Sequence, residues 1–441
     1  MGRKPLNIDK IVMELIMADD TAIKKKLSKK IFDIAYKNGI YPSSIHEFYM
    51  ARGKGQFTGF TVPAVNLRSM TYDLAKAIFR VAKKYNAGAF IFEIAKSEMG
   101  YTAQPPVEYA SVILGAAIKE NHKGPVFIQA DHVQVNAKKY QEDPDKELET
   151  LQALIADAMA AGFYNIDIDS STLVDLSKTD IKKQQRNNYE ACAKLTQFIR
   201  RIEPKGVTVS VGGEIGEVGH QNSTPEDLRA FMEGFKERLR KGLTGISKIS
   251  IQTGTSHGGV VLPDGSIAQV KLDFDTLKKL SEIAKKEYGL AGAVQHGAST
   301  LPAEAFHNFP ECDCAEVHLA TEFQNMIYDS KDFPAELKKK IYDWLKINAA
   351  NEAKAGETEE QFFYKTRKKA LGPFKKEIMG LSQEIRDNIT KDIEARFYFL
   401  FKQLNNQNNK DLVDKLVTLK RVIVRKRKDE KEVVHDGEGA D

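Results

Sequence analysis

The sequence predicts an α/β chain whose eight strands alternate with helices and close into a (β/α)8 barrel. Three observations carry this. Eight short apolar runs recur between residues 60 and 320, each of strand rather than helix length. Amphipathic stretches of helical period separate them. The conspicuous polar residues follow the C-terminal ends of those runs, the end at which a parallel barrel gathers its functional groups. An open doubly wound sheet would give the same alternation, and the count of eight favours the barrel.

In chain order, the strand candidates are "FTVPAVN" (60–66), "AFIFEIA" (89–95), "VFIQA" (126–130), "NIDID" (165–169), "VTVSVGG" (207–213), "KISIQTG" (248–254), "GAVQHG" (292–297) and "AEVHLA" (315–320). Between them lie helical segments such as "TYDLAKAIFRVAKKY" and "ELETLQALIADAMAAG", the second closed by Gly162, which suits a left-handed C-cap. In "STPEDLRAFMEGF", Ser223 or Thr224 caps a helix, Pro225 fills its first turn, and Glu226 and Asp227 face the positive end of its dipole. The flanks differ. Residues 1–45 read as a lysine-rich helical extension. Residues 46–404 form the barrel domain, with a helical insertion near 331–360. "NNQNN" (405–409) reads as a break, and 405–441 as a basic tail outlying the barrel, with Leu412, Leu416, Leu419 and Ile423 at helical spacing before "RKRK".

Composition bounds the function. The chain has 441 residues, 42% hydrophobic and 29% charged, so it can bury a large core and stay soluble. A net charge of +5 is small for this length and gives no nucleic-acid signal. Three cysteines, Cys192, Cys312 and Cys314, make a disulfide framework a poor reading and suit a reducing compartment, hence a cytoplasmic location. The N-terminus is amphipathic, which is not the pattern of a secretory signal, and no run suits a membrane span.

The polar residues then suggest chemistry. Asp131 and His132 follow "VFIQA", Glu214 follows "VTVSVGG", His257 follows "ISIQTGTS", and His296 follows "GAVQ". Three histidines converging on one barrel mouth match the ligand set of a catalytic Zn²⁺ with an open position. Singly, each is better read as a hydrogen-bonded structural residue. Two lie in His-Gly pairs, where glycine lets the backbone approach a substrate. "HGAST" (296–300) and "AT" (320–321) put small residues and hydroxyls where barrels bind phosphate. His122, His307 and His435 read as surface residues, and the cysteines as ordinary thiols.

"VPAVN", "SE" (97–98), "ADH" (130–132), "VGGEIG" (211–216), "SHGG" (256–259) and "HGAST" occur in an order that resembles the class II, zinc-dependent fructose-bisphosphate aldolases, with "TPEDL" and "YKTRKKALGP" as further segments. The resemblance spans roughly residues 46–395. It implies a (β/α)8 TIM barrel with N- and C-terminal helical extensions, and reversible cleavage of a phosphorylated ketose to dihydroxyacetone phosphate and an aldehyde, a step of carbohydrate metabolism. It implies that His132, His257 and His296 hold Zn²⁺, and that Glu214 and Asp169 stand near a second or alternative metal position. Asp131 would serve the hydroxyl of the cleaved bond. Ser97, Gly258, Gly297, Ser299 and Thr321 would surround the dihydroxyacetone phosphate moiety and a monovalent cation. The expected partners are the ketose and further copies of the chain, with no nucleic acid and no membrane. Two departures stand out. Asn222 falls where the family carries a loop glutamate, leaving His220 or Glu217 as candidate acid/base groups. "HLATE" (318–322) replaces the family's "NxDTD", so that His318 and Ala320 face the substrate region. A non-catalytic relative that keeps the fold and works as an assembly subunit or binding module is the alternative.

Overall fold

The computed structural model describes residues 7–216, 221–254, 262 and 272–422. Among the described residues, nine parallel strands are formed: β1 (Ile40–Ser43), β2 (Val62–Asn66), β3 (Ile91–Ala95), β4 (Gly124–Gln134), β5 (Asn165–Asp169), β6 (Ser210–Gly216), β7 (Lys248–Ile251), β8 (Ala293–Gln295) and β9 (Glu316–Leu319). The order β4-β3-β2-β9-β8-β7-β6-β5, closed by β4 pairing with β5, is an eight-stranded parallel barrel. All eight apolar runs are its strands. Helices between them, including Thr71–Tyr85, Pro144–Ala160 and Pro225–Arg238, form the outer ring. The start of the last follows its sequence signals: Thr224 and Asp227 form a capping box, with Pro225 in the first turn.

β1 is a ninth strand in a segment that reads as helical extension. β4 runs eleven residues, and β5 joins it only from Gln129 onward. Its first residues would therefore be an open edge, and β1 covers them, pairing Ile40 through Ser43 with Gly124 through Phe127. The helices Ile8–Met17 and Thr21–Lys37 precede it.

Period-two alternation divides the strands into two faces. Phe92, Ile94, Ile128, Ile166, Ile168, Val211, Ile249, Val317 and Leu319 pack in the main core beneath the helices. The alternate residues point inward, and the interior is layered. At the floor, Val62, Ala64, Ala89, Ile91, Phe127 and Ala315 cluster with Phe48, Tyr49, Val413 and Val417. Above them lies a charged layer of Glu93, Asp167, Lys248 and Glu316, all buried.

The floor corrects one expectation. Residues 405–422 do not outlie the barrel. Asn406 and Asn409 are buried, and Asn409 Oδ1 accepts from the N–H groups of Gly88 and Ala89 at 2.7 and 3.1 Å. The helix Lys410–Leu416 brings Val413 against the floor cluster. The asparagines are a built turn that satisfies buried backbone at the entry to β3. Leu419 is exposed, and Ile423 with the basic run lies outside the described residues.

Removing residues 405–441 should therefore destabilise the protein. Fully burying a Val side chain is worth about 1.5–3 kcal/mol, and two orphaned N–H groups add about 1–3 kcal/mol each. Urea unfolding should show a clear drop in midpoint or an insoluble product, and an unchanged midpoint would contradict this packing.

Candidate functional site

Asp131 and His132 sit at an irregularity in β4. Pairing with β5 runs Gln129↔Asn165 and Ala130↔Ile166, then resumes at Val133↔Ile168. The extra residue is a β-bulge, and His132 takes a left-handed φ of 40°. The bulge places both side chains at the mouth instead of on opposite faces of the strand. Asp131 Oδ2 accepts from His132 Nδ1 at 2.8 Å, which turns the other ring nitrogen outward. His132 Nε2 lies 3.9 Å from Glu214 Oε2, and His296 Nε2 lies 4.0 Å from the same oxygen. The two imidazole rings are 4.3 Å apart, centroid to centroid.

Two potential ligand sets overlap here: Asp131 with His132 and His296, and His132 with Asp169 and Glu214. Within each set the donor atoms lie within 4.8 Å of one another. Ligands at about 2.0–2.2 Å around one ion are separated by roughly 3–4.5 Å, so the donors fit a divalent cation with little movement. An imidazole whose other nitrogen is held by a carboxylate is the usual arrangement of a metal-binding histidine. Gln134 Nε2 donates to Asp169 Oδ2 at 2.6 Å, and Ser171 Oγ to Asp169 Oδ1 at 2.7 Å, which fixes that carboxylate.

Of the remaining candidates, Ser97 is buried at the start of the helix Lys96–Tyr101, directly after β3. Gly297 takes φ 69°, where a side chain would be strained. Ser299 Oγ accepts the N–H of Ala320 at 2.7 Å, and Thr321 begins the helix Thr321–Tyr328. These lie after β3, β8 and β9, around one sector of the mouth. Asn222 donates to Asp273 Oδ2 at 3.1 Å. Glu217, His220, His257 and Gly258 lie outside the described residues.

Beneath the mouth is a set of charges that sequence reading passed over. Lys248 Nζ donates to Asp167 Oδ2 and Gln129 Oε1, each at 2.8 Å, and to Glu316 Oε1. Gln129 Nε2 donates to Glu93 Oε2 at 3.1 Å and Glu316 Oε1 at 2.9 Å, and Tyr49 donates its hydroxyl to Glu316. His318 links this layer to the site. Its Nε2 donates to Glu316 Oε1 at 2.7 Å. Its Nδ1 lies 3.0 Å from Glu93 Oε2 and 3.3 Å from Asp131 Oδ1. His318 therefore stands between the charged layer and Asp131. Gly212 makes room for the layer, because a Cβ there would lie 2.4 Å from Asp167 Oδ1. The signal was present: Asp167 and Asp169, Glu316 and His318, and Gln129 and Asp131 are pairs two apart in otherwise apolar strands, so each pair shares the inner face. His122, read as a surface residue, packs against Phe79 and Phe90, with Nε2 3.0 Å from Pro125 O.

Electrostatics follow from burial. Burial, reinforced by Asp169, pushes Glu214 up to about 8. Burial likewise raises Glu93 to about 7 and Asp167 to about 6, against the pull of His318 and Lys248. Burial would raise Glu316 too, but Lys248 and His318 hold it down to about 2. Despite burial, His132 and His318 keep Asp131 well below its ordinary range. Despite burial, the carboxylates raise His132 and His318 well above theirs.

With this geometry established, comparison defines the class. The family description for class-II fructose-bisphosphate aldolases matches residues 53–378. The chain belongs to that family. No curated protein matches it. Among solved structures, it is similar to a probable tagatose 6 phosphate kinase from Sinorhizobium meliloti, with 14% identity over 78% of this chain and 97% of that one, at a TM-score of 0.54. That likeness is one of fold. The YdjI aldolase from Escherichia coli K12 shares 12% identity over 83% of this chain and 99% of that one, at a TM-score of 0.47. A fructose-bisphosphate aldolase from Campylobacter jejuni shares 20% over 81% and 93%, at 0.45. Among the described residues, no helix is long and apolar enough to cross a membrane.

The charges make stability pH-dependent. A group whose pKa is raised by folding contributes stability that is lost as pH rises through its folded value. Glu93 and Glu214, raised from 4.5 to about 7 and about 8, lose theirs by about pH 8. His132 and His318, raised from 6.5, act in the same direction above that value. His46 and His122, pushed by burial down to about 4, oppose this only below 6.5. Unfolding of the metal-free protein should therefore become easier between pH 6.5 and 8. Added divalent cation should flatten that slope by displacing protons from the cluster. A slope of opposite sign in metal-free protein would contradict the assignment.

Proposed function

We propose that the protein is a zinc-dependent class II aldolase that reversibly cleaves a phosphorylated ketose, of the fructose 1,6-bisphosphate kind, to dihydroxyacetone phosphate and an aldehyde. The observation that carries this is the convergence of Asp131, His132, His296, Asp169 and Glu214 at the mouth of a barrel from this family. His132 and His296, with Glu214 or Asp169 and with His257 from outside the described residues, would hold the metal. Bound there, Zn²⁺ would supply the Lewis acid that C–C cleavage beside a carbonyl requires.

The chain's own groups do the rest. Asp131, kept ionised by the imidazoles on either side, is the base for the hydroxyl proton of the bond that breaks, and returns it in the reverse direction. Its pairing with His132 fixes its plane, and His318 holds it from below. Ser299, Thr321 and Gly297 border the phosphate-bearing half, where Gly258, from outside the described residues, would join them, and Ser97 closes the β3 side. Proton exchange at the carbon of dihydroxyacetone phosphate falls to His220 or Glu217, because Asn222 cannot accept a proton and is tied to Asp273. That tie favours the second reading, a barrel that binds metal and ligand without turnover. The three free, buried cysteines fit a reducing compartment such as the cytoplasm.

Assaying the zinc-loaded protein against a panel of ketose phosphates tests the reading. Asp131→Ala should reduce cleavage by about 10²–10⁴-fold, while solvent exchange into dihydroxyacetone phosphate continues. A zinc-replete wild type that shows neither cleavage nor exchange with any ketose phosphate sinks the aldolase reading.

A further inference from the structure

We infer that Arg68 is the cation that receives the phosphate of the ligand and sets the site's preference for phosphorylated over unphosphorylated ketones. This rests on the reading that the mouth takes a phosphorylated ketose. Arg68 lies two residues beyond the end of β2, and Thr321 two residues beyond the end of β9. The two strands are neighbours, with Val65 registered on Leu319, so their ends emerge side by side. Arg68 Nη1 lies 3.4 Å from Thr321 Oγ1.

The arginine is anchored from behind. Its Nε donates to Glu98 Oε1 at 2.6 Å. The other oxygen of Glu98 accepts from Asn66 Nδ2 at 2.5 Å and from the Ala95 N–H at 2.7 Å. Both side chains of the ion pair are buried, at 8% and 1% exposure. One edge of the guanidinium is thus committed to a carboxylate that is itself held rigidly. The Nη1 side is aimed at the hydroxyl of Thr321.

What lies on that side is suited to an anion. Ser299 Oγ sits against the Ala320 N–H, and the helix Thr321–Tyr328 begins at the end of β9 without a side-chain cap, which puts the positive end of its dipole beside Arg68 and Thr321. The acid in its first turn, Glu322, is paired with Arg396 at 2.6 Å and does not oppose a phosphate. The opposite side of the mouth carries Asp131, Asp169 and Glu214. A phosphate dianion approaching those carboxylates is repelled unless a cation fixes it at a distance from them. Arg68 does that on the β2–β9 side, leaving the carbonyl end of the ligand to face the metal ligands. A planar guanidinium also matches phosphate oxygens with two parallel N–H groups.

Calorimetric titration of the zinc-loaded full chain with dihydroxyacetone phosphate, and separately with dihydroxyacetone, tests this. In Arg68→Gln/Glu98→Gln, which avoids leaving Glu98 buried without a cation, affinity for the phosphate ester should fall by about tenfold or more. Zinc content and affinity for dihydroxyacetone should not change. Arg68→Lys keeps a charge but not the fork, and should give an intermediate loss; it also tests the idea should the double variant fail to fold. A purely structural role would weaken both ligands alike or neither. Affinity for dihydroxyacetone phosphate within about threefold of wild type in a folded, zinc-replete variant overturns the inference alone. A wild type that does not bind the ester at all overturns both the inference and the aldolase reading.

Discussion

The buried ammonium of Lys248 is the point on which the interior of this barrel turns. It lies between Asp167 and Glu316 with Gln129 as a third partner, in a layer where an uncompensated carboxylate would be prohibitively costly to ionise. An ion pair in such a place contributes less to stability than its geometry suggests, because both charges have lost their water. Breaking it is another matter. Removing one partner leaves the other buried and alone, so the layer is locked as a unit.

That unit fixes the site above it. Glu316 holds His318 by one ring nitrogen, and the other faces Glu93 and Asp131. Asp131 in turn holds His132 by Nδ1, which directs Nε2 toward Glu214. The order from floor to mouth is apolar plug, charged layer, then the candidate site residues, and each layer constrains the one above. The mouth is also polarised across its width. Carboxylates and imidazoles of the mouth lie after β4, β5, β6 and β8, with Arg68 after β2, Thr321 after β9 and the hydroxyls of Ser97 and Ser299 to either side, after β3 and β8. A ligand with a carbonyl at one end and a phosphate at the other has one way to lie in such a field.

Much of this was legible in the sequence. The eight barrel strands are apolar runs of strand length, and their order with the intervening helices is the fold. Asp131, His132, Glu214 and His296 stand at the ends of those runs, Asp169 is implied by the family resemblance, and the five do come together. β1 was hidden because "IYPS" is four residues long and contains Pro42, so it has no alternation to read. The asparagines at 405–409 look like a linker in composition, and only the partners of Asn409 show them as a buried turn. The charged layer was missed for a different reason. Glu93 and Lys248 each sit singly in an apolar strand, where one charge is easily absorbed into the run, and Asp167 and Glu316 are overshadowed by Asp169 and His318 two residues on. Only the closure of the barrel brings them within reach of one another. His318 stood out as a departure, but its place beneath Asp131 depends on that same closure.

The most direct test of this arrangement is a double-mutant cycle on metal-free protein, pairing Lys248→Met with Glu316→Gln and reading stability by denaturant unfolding. Losing the lysine alone should cost about 3–5 kcal/mol, as for other broken buried pairs. If the charged layer acts as one unit, the double variant should be more stable than the sum of the single losses predicts, with a coupling of about 2 kcal/mol or more. Losses that add to within about 0.5 kcal/mol would mean that the two residues act independently, and the layered account of the site would be wrong.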